Sequence, residues 1–164
     1  MKITVQRLAG WCLLFLLPVA GFAATSGEMD LPRAAKNQDK DTVRALLKQH
    51  ADVNTPQGDG STALHWAAHW DDRDMAGLLL GAGANVNAAN DLGVTPLSLA
   101  CINGSAAMVQ ALLKAGANPN LAAVTGVTPL MQAARAGNLE AVEALLARGA
   151  ETNAAENSAG QTAL

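Results

Sequence analysis

The chain has 164 residues, half of them hydrophobic, which is enough to bury a sizeable core and sits in the range of one domain. Aromatic residues make up only 3% and tyrosine is absent, so a core built on large rings is excluded and alanine and leucine must pack close helices. A formal net charge of -3 offers no general basic field to a phosphate backbone, and nucleic acid is not expected as a partner.

Residues 1–23 have the pattern of an export signal. Lys2 and Arg7 form a positive leader, Leu8 to Val19 is apolar, and Gly21-Phe22-Ala23 supplies a small-x-small cleavage site. Cleavage after Ala23 predicts an exported protein, periplasmic or secreted, with a short linker over residues 24–28. Membrane attachment is expected only if the segment stays uncleaved, and its apolar run is shorter than the roughly 20 residues that span a bilayer comfortably. Cys12 follows Trp11 instead of a small residue, which does not match a lipoprotein signal. With the signal removed Cys101 is the one cysteine left, so no intramolecular disulfide forms and packing must hold the fold.

Residues 29–61, rich in Lys, Asp and Gln, read as an N-terminal capping unit with a wet outer face. From there the chain repeats. Thr62, Thr95 and Thr128 stand 33 residues apart and open matching segments over 62–94, 95–127 and 128–161. Thr95-Pro96-Leu97 and Thr128-Pro129-Leu130 each put a capping hydroxyl before a proline, which suits a first helical turn because its missing N–H would go unpaired there. Ala67-Ala68, Ala100-Cys101 and Ala133-Ala134 keep one place in this first helix small, so Cys101 reads as an alanine-like packing residue. Gly104 and Gly137 supply a left-handed turn that ends the helix; Gln38 and Asp71 hold that place in the other units and are expected to be strained.

A second helix follows in each unit. Leu46-Leu47, Leu79-Leu80, Leu112-Leu113 and Leu145-Leu146, with Val43, Ala76, Val109 and Val142 before them, form an apolar stripe expected to be core. Gly83, Gly116 and Gly149 end these helices. Asn54, Asn87, Asn120 and Asn153 recur in the loops that follow, where asparagine is expected to bond its own backbone. The chain closes on Thr162-Ala163-Leu164, which reads as the first turn of a further unit; a fragment or a longer chain is expected, since no polar terminal cap is seen.

The Thr-Pro-Leu openings, the paired leucines and the Gly-Ala-x-x-Asn closes resemble the ankyrin-repeat family over Met29 to Leu164. The resemblance implies an all-α solenoid of stacked helix-turn-helix units with loop fingers, and a concave face that binds another protein. The family histidine of the opening motif is kept at His65 and replaced by Ser98 and Met131, so the hydrogen bonding it provides is in doubt in those two units.

Catalytic and cofactor sites are not expected. His65 and His69 are four apart on one helix, but no third ligand accompanies them, as a zinc site requires. No serine, histidine and carboxylate set stands out, and Asp71, Asp72, Asp74 and Glu140 fall at turns and helix starts where they favour the helix dipole. The residues that vary while the framework recurs are the candidates for partner contact. On the loop tips these are Asp59, Ser61, Asp91, Leu92, Val94, Val124, Thr125 and Val127; on the first helices they are Lys36, Asn37, His69, Trp70, Ile102, Asn103 and Arg135. Trp66 lies four residues before Trp70 and shares its face, and tryptophan is enriched among interface hot spots.

The expected function is therefore that of a non-catalytic module that docks another protein, with no small-molecule substrate. Similarity to exported bacterial ankyrin-repeat proteins, some of which are associated with catalases, implies support of a periplasmic enzyme. Two alternatives stand beside it: the regulatory or targeting arm of a larger enzyme, and an inhibitor or immunity-like protein that blocks one enzyme.

Overall fold

A computed structural model describes residues 30–163. The export signal and linker expected over 1–28 lie outside the described residues. Among those described there are eight α-helices and no strand: α1 Leu31–Lys36, α2 Lys40–Lys48, α3 Ala63–His69, α4 Arg73–Gly81, α5 Pro96–Ile102, α6 Ala106–Lys114, α7 Pro129–Arg135 and α8 Leu139–Ala147. No helix among them is long and apolar enough to cross a membrane.

The helices pair within units and the pairs stack. The shorter inner helices α1, α3, α5 and α7 pack on one another in succession, and each also packs on the longer outer helix that follows it. Close approach is possible because Ala34, Ala35, Ala67, Ala68, Ala100, Cys101 and Ala133 are buried along the inner row. The Cys101 thiol is enclosed there, and burial pushes its pKa up to about 12, so at neutral pH it is a protonated packing residue.

Local chemistry sets where each helix begins. Thr95 and Thr128 are N-caps whose hydroxyls accept from the Ser98 amide at 3.2 Å and the Met131 amide at 3.3 Å, with Pro96 and Pro129 in the first turn. The outer helices use another set: Asp39, Asp72, Ser105 and Asn138 each accept the amide three residues on. Between inner and outer helix the chain takes positive φ, at Gly104 and Gly137 and also at Gln38 (58°) and Asp71 (53°), as the sequence led one to expect. A third strained residue, His50 (60°), occupies the place that Gly83, Gly116 and Gly149 hold at the ends of the other outer helices.

The apolar stripe of the outer helices is core only in part. Val43, Ala76, Val109, Leu79, Leu112 and Leu145 are buried, but Leu46, Leu47, Leu80 and Val142 are only partly so. Leu146 is a surface residue: it is 40% exposed, against 2% for Leu113 at the same place one unit earlier. Leu113 has α8 beyond it, while among the described residues no further helix follows α8.

The recurring asparagines do more than shape turns. Asn54 accepts the Asn85 amide at 2.7 Å and donates to the Gly83 carbonyl at 3.3 Å, which ties the first unit to the second. Asn87 repeats this with Asn118 and Gly116, and Asn120 with Glu151 and Gly149. The local turn bond expected of these residues is made two positions earlier, where Asp52, Asn85 and Asn118 each accept the amide two residues on.

Candidate protein-binding face

Each unit is followed by a finger that turns back through a tight turn. Gly60 donates to the Gln57 carbonyl, Gly93 to Asn90 and Gly126 to Ala123, at 2.8–2.9 Å. Successive fingers then bond to one another: the Asp91 amide donates to Asp59 O, Val124 to Leu92 O and Asn157 to Thr125 O, at 2.9–3.0 Å. The three turn glycines make this possible. They have φ of 78°, 72° and 80°, and a Cβ at Gly93 would stand 3.0 Å from the Val124 amide nitrogen. Sequence reading passed over these glycines, although their own 33-residue spacing marks them.

The inner helices are fastened to the fingers. His65 lies at the base of this arrangement: its Nδ1 accepts the Thr62 amide at 3.0 Å, which leaves the proton on Nε2 to be donated to the Val94 carbonyl of the next finger at 3.0 Å. Both ring nitrogens are thus engaged within the fold, and burial holds the pKa below the usual histidine value. Ser98 and Met131 retain part of the pattern, through Ser98 Oγ 3.2 Å from Thr95 Oγ1 and Met131 Sδ accepting the Thr128 amide at 3.5 Å. Neither side chain has a second polar atom with which to bridge onward.

Trp66 and Trp70 differ in setting. Trp66 is half-buried against the core, and its indole N–H donates to Gln57 Oε1 of the first finger at 3.2 Å. Trp70 is 43% exposed and donates to the Lys36 carbonyl at 3.1 Å, so it also closes the last turn of α1. His69 bridges the two rings edge-on, with centroids 5.7 Å from Trp66 and 4.7 Å from Trp70. The Lys36 ammonium stands 4.9 Å from the Trp66 ring centre, within the range of a cation–π contact.

The remaining candidates divide into two groups. Lys36, Asn37, His69, Ile102 and Arg135 are exposed at the ends of the inner helices, and Asp59, Asp91, Leu92, Val124 and Thr125 are exposed on the finger tips. Leu92 and Val124 are over 60% exposed. Ser61, Val94 and Val127 must be set apart from these. Ser61 and Val127 are buried and Val94 partly so, because each ends its finger and feeds directly into the capping threonine beneath the turn; they are framework, not contact surface. Asn103 is exposed, but its amide group is spent on the Ala68 and His69 carbonyls at 3.1 and 2.6 Å, capping the helix one unit back as Trp70 does for α1.

Electrostatics on the fingers are settled locally. Asp59 accepts the Ser61 amide and hydroxyl at 2.9 and 3.1 Å, the amide bond above all holding its carboxyl below the usual carboxylate range. Arg135 faces Glu156 of the last finger at 3.8 Å. Among the described residues no group of three or more His, Cys, Asp or Glu side chains converges on a metal-sized site.

What the fold presents is a stacked helical solenoid with a row of helix ends and bonded fingers along one side, the kind of protein that offers an extended surface. A family model described as ankyrin repeats (3 copies) matches residues 12–90, 31–123 and 74–156, and the chain belongs to the ankyrin-repeat family. Ankyrin repeats are protein–protein interaction modules, and another protein is the class of partner they imply. A search among curated proteins returned no match.

Proposed function

We infer that this chain is an exported, non-catalytic adaptor that docks a partner protein on the inner-helix ends and finger tips. The observation that carries this reading is the concentration of exposed large apolar side chains there. Trp70, Ile102, Leu92 and Val124 all lie on it, on backbone already fixed by bonds between units. A surface ordered before binding avoids the cost of ordering loops on contact, which leaves more of the contact energy for affinity. The positive leader and apolar run of residues 1–23 support export, and a periplasmic enzyme such as a catalase is proposed as the partner served by analogy with exported ankyrin-repeat proteins.

The test is affinity capture from an exported fraction with the mature chain, beside the Trp70→Ala/Ile102→Asp double variant. A protein held by the wild type and lost by a variant with unchanged helical circular dichroism supports the reading. Retention of every captured protein by that variant would place the contact elsewhere.

A further inference from the structure

The four inner helices contain Arg33, Lys36 and Arg135 and not one Asp or Glu, in a chain whose net charge is -3. Acids flank these helices or lie off them: Asp30 caps α1, Asp39, Asp71 and Asp72 stand in the turns after α1 and α3, with Asp71 bonded to Ser105 Oγ and Asp72 paired with Lys40, and the others are on outer helices, fingers and loops. Along the exposed ends of the inner helices the order is Lys36, His69, Ile102, Arg135, so the row begins with a cation, passes through aromatic and aliphatic surface, and ends in an arginine.

The two cations of that row are not equivalent. Arg135 already faces Glu156 at 3.8 Å. Lys36 has its ammonium over the Trp66 ring, and among the described residues no carboxylate pairs with it. The finger acid nearest in sequence to that end, Asp59, has both carboxylate oxygens bonded to Ser61. Beyond the tryptophans stands Ile102, exposed at the end of α5, a helix without an acid.

We propose that the segment docked on this face is acidic at the α1 end and apolar at the α5 end: a carboxylate pairs with Lys36 beside Trp66, and an aliphatic or aromatic side chain covers Ile102. This deepens the adaptor reading and rests on it. Opposite charge at the Lys36 end both speeds encounter and fixes the direction in which the segment lies, since the reversed segment would leave its carboxylate against Ile102, with the Asp71 carboxylate bonded to Ser105 three residues on.

The experiment uses a displayed library of short random peptides, panned on the purified chain with no bias in charge. Binders are synthesised and their affinities read from tryptophan fluorescence, with Trp66 and Trp70 as reporters on the face itself. The expected result is enrichment of peptides with an acid separated from an apolar residue. Their binding should fall about tenfold or more in Lys36→Glu, as a paired interfacial charge does, and should return when the peptide acid is replaced by lysine. Ile102→Asp separates the two readings. Peptides lost in Ile102→Asp but basic or uncharged, and indifferent to Lys36→Glu, would overturn the acidic-segment proposal and leave the adaptor face standing. Enriched peptides that all bind Ile102→Asp as well as wild type, or a failure to enrich any, would overturn both.

Discussion

Among the described residues, the first and last helical pairs are built from the same unit but present different surfaces. At the first unit, Val43 is fully buried while Arg33, Arg44 and Lys48 are exposed, so this side is wet and charged. At the last unit the outward side of α8 carries Leu139, Leu146 and the half-buried Val142, and Ala134 of α7 is also partly uncovered. Val109 and Cys101, their counterparts in the unit before, are fully buried. The lesson is that burial in a solenoid belongs to a pair of neighbours: one place in the unit is core where a further described helical pair packs on it and surface where none of the described residues does.

The largest expected effect breaks or confirms that comparison directly. Leu112→Ala removes a fully buried side chain between two units and should cost about 2–5 kcal/mol in urea denaturation, whereas Leu146→Ala should cost less than about 1 kcal/mol. Equal losses would mean that α8 is covered as fully as α6. Native-state hydrogen exchange sharpens the point, since amides of α8 should open before those of α5 and α6.

A smaller contrast concerns glycine. Gly93→Ala combines a left-handed backbone with a Cβ only 3.0 Å from the Val124 nitrogen and should cost about 2 kcal/mol or more. Gly149→Ala has the strain without the clash, since nothing lies within 4 Å of its Cβ, and should cost about 1 kcal/mol. If the two thermal midpoints fall together, the finger-to-finger contact contributes little.

His65 predicts a pH dependence confined to the second unit. Its folded pKa is depressed by burial, so the unfolded chain takes up the proton first; the stabilisation is complete above about pH 6.5 and declines as pH falls below it. The slope from this group is at most about 1.4 kcal/mol per pH unit. Urea midpoints between about pH 7 and pH 5 should fall less in His65→Ser, which copies the third unit, than in the wild type. The smallest effect is a gain. His50→Gly relieves a left-handed conformation at the end of α2 and should raise stability by about 0.5–1 kcal/mol, read as a rise in melting temperature.

Much of this fold was legible because period, capping and helix endings are local. Thr95-Pro96 starts a helix for reasons contained in two residues, and the strain at Gln38 and Asp71 followed from comparing them with Gly104 and Gly137. What escaped reading were bonds between units. Asn87 looks like a turn former within its own loop, and only the stacked structure shows its side chain clamping the next unit. The same limit applied to the candidate face. Exposure at Leu92 and Val124 could be guessed from variability, but Val127 varies as well and is buried, because variation records what a neighbour permits and does not record which way a side chain points. Trp70 and Asn103 were legible as surface residues but not as caps for the helix one unit back.

The asparagine clamps have a consequence for how such a surface can change in length. Each joins residues about thirty apart, at separations of 29 and 31, and reaches no farther than the adjoining unit. A duplicated copy of residues 95–127 placed after Val127 would therefore find the same acceptors and donors on both sides. Reach is in this way a whole-number property of the chain, extended or shortened by entire units, while the chemistry of each exposed place on a unit can drift without disturbing the joints.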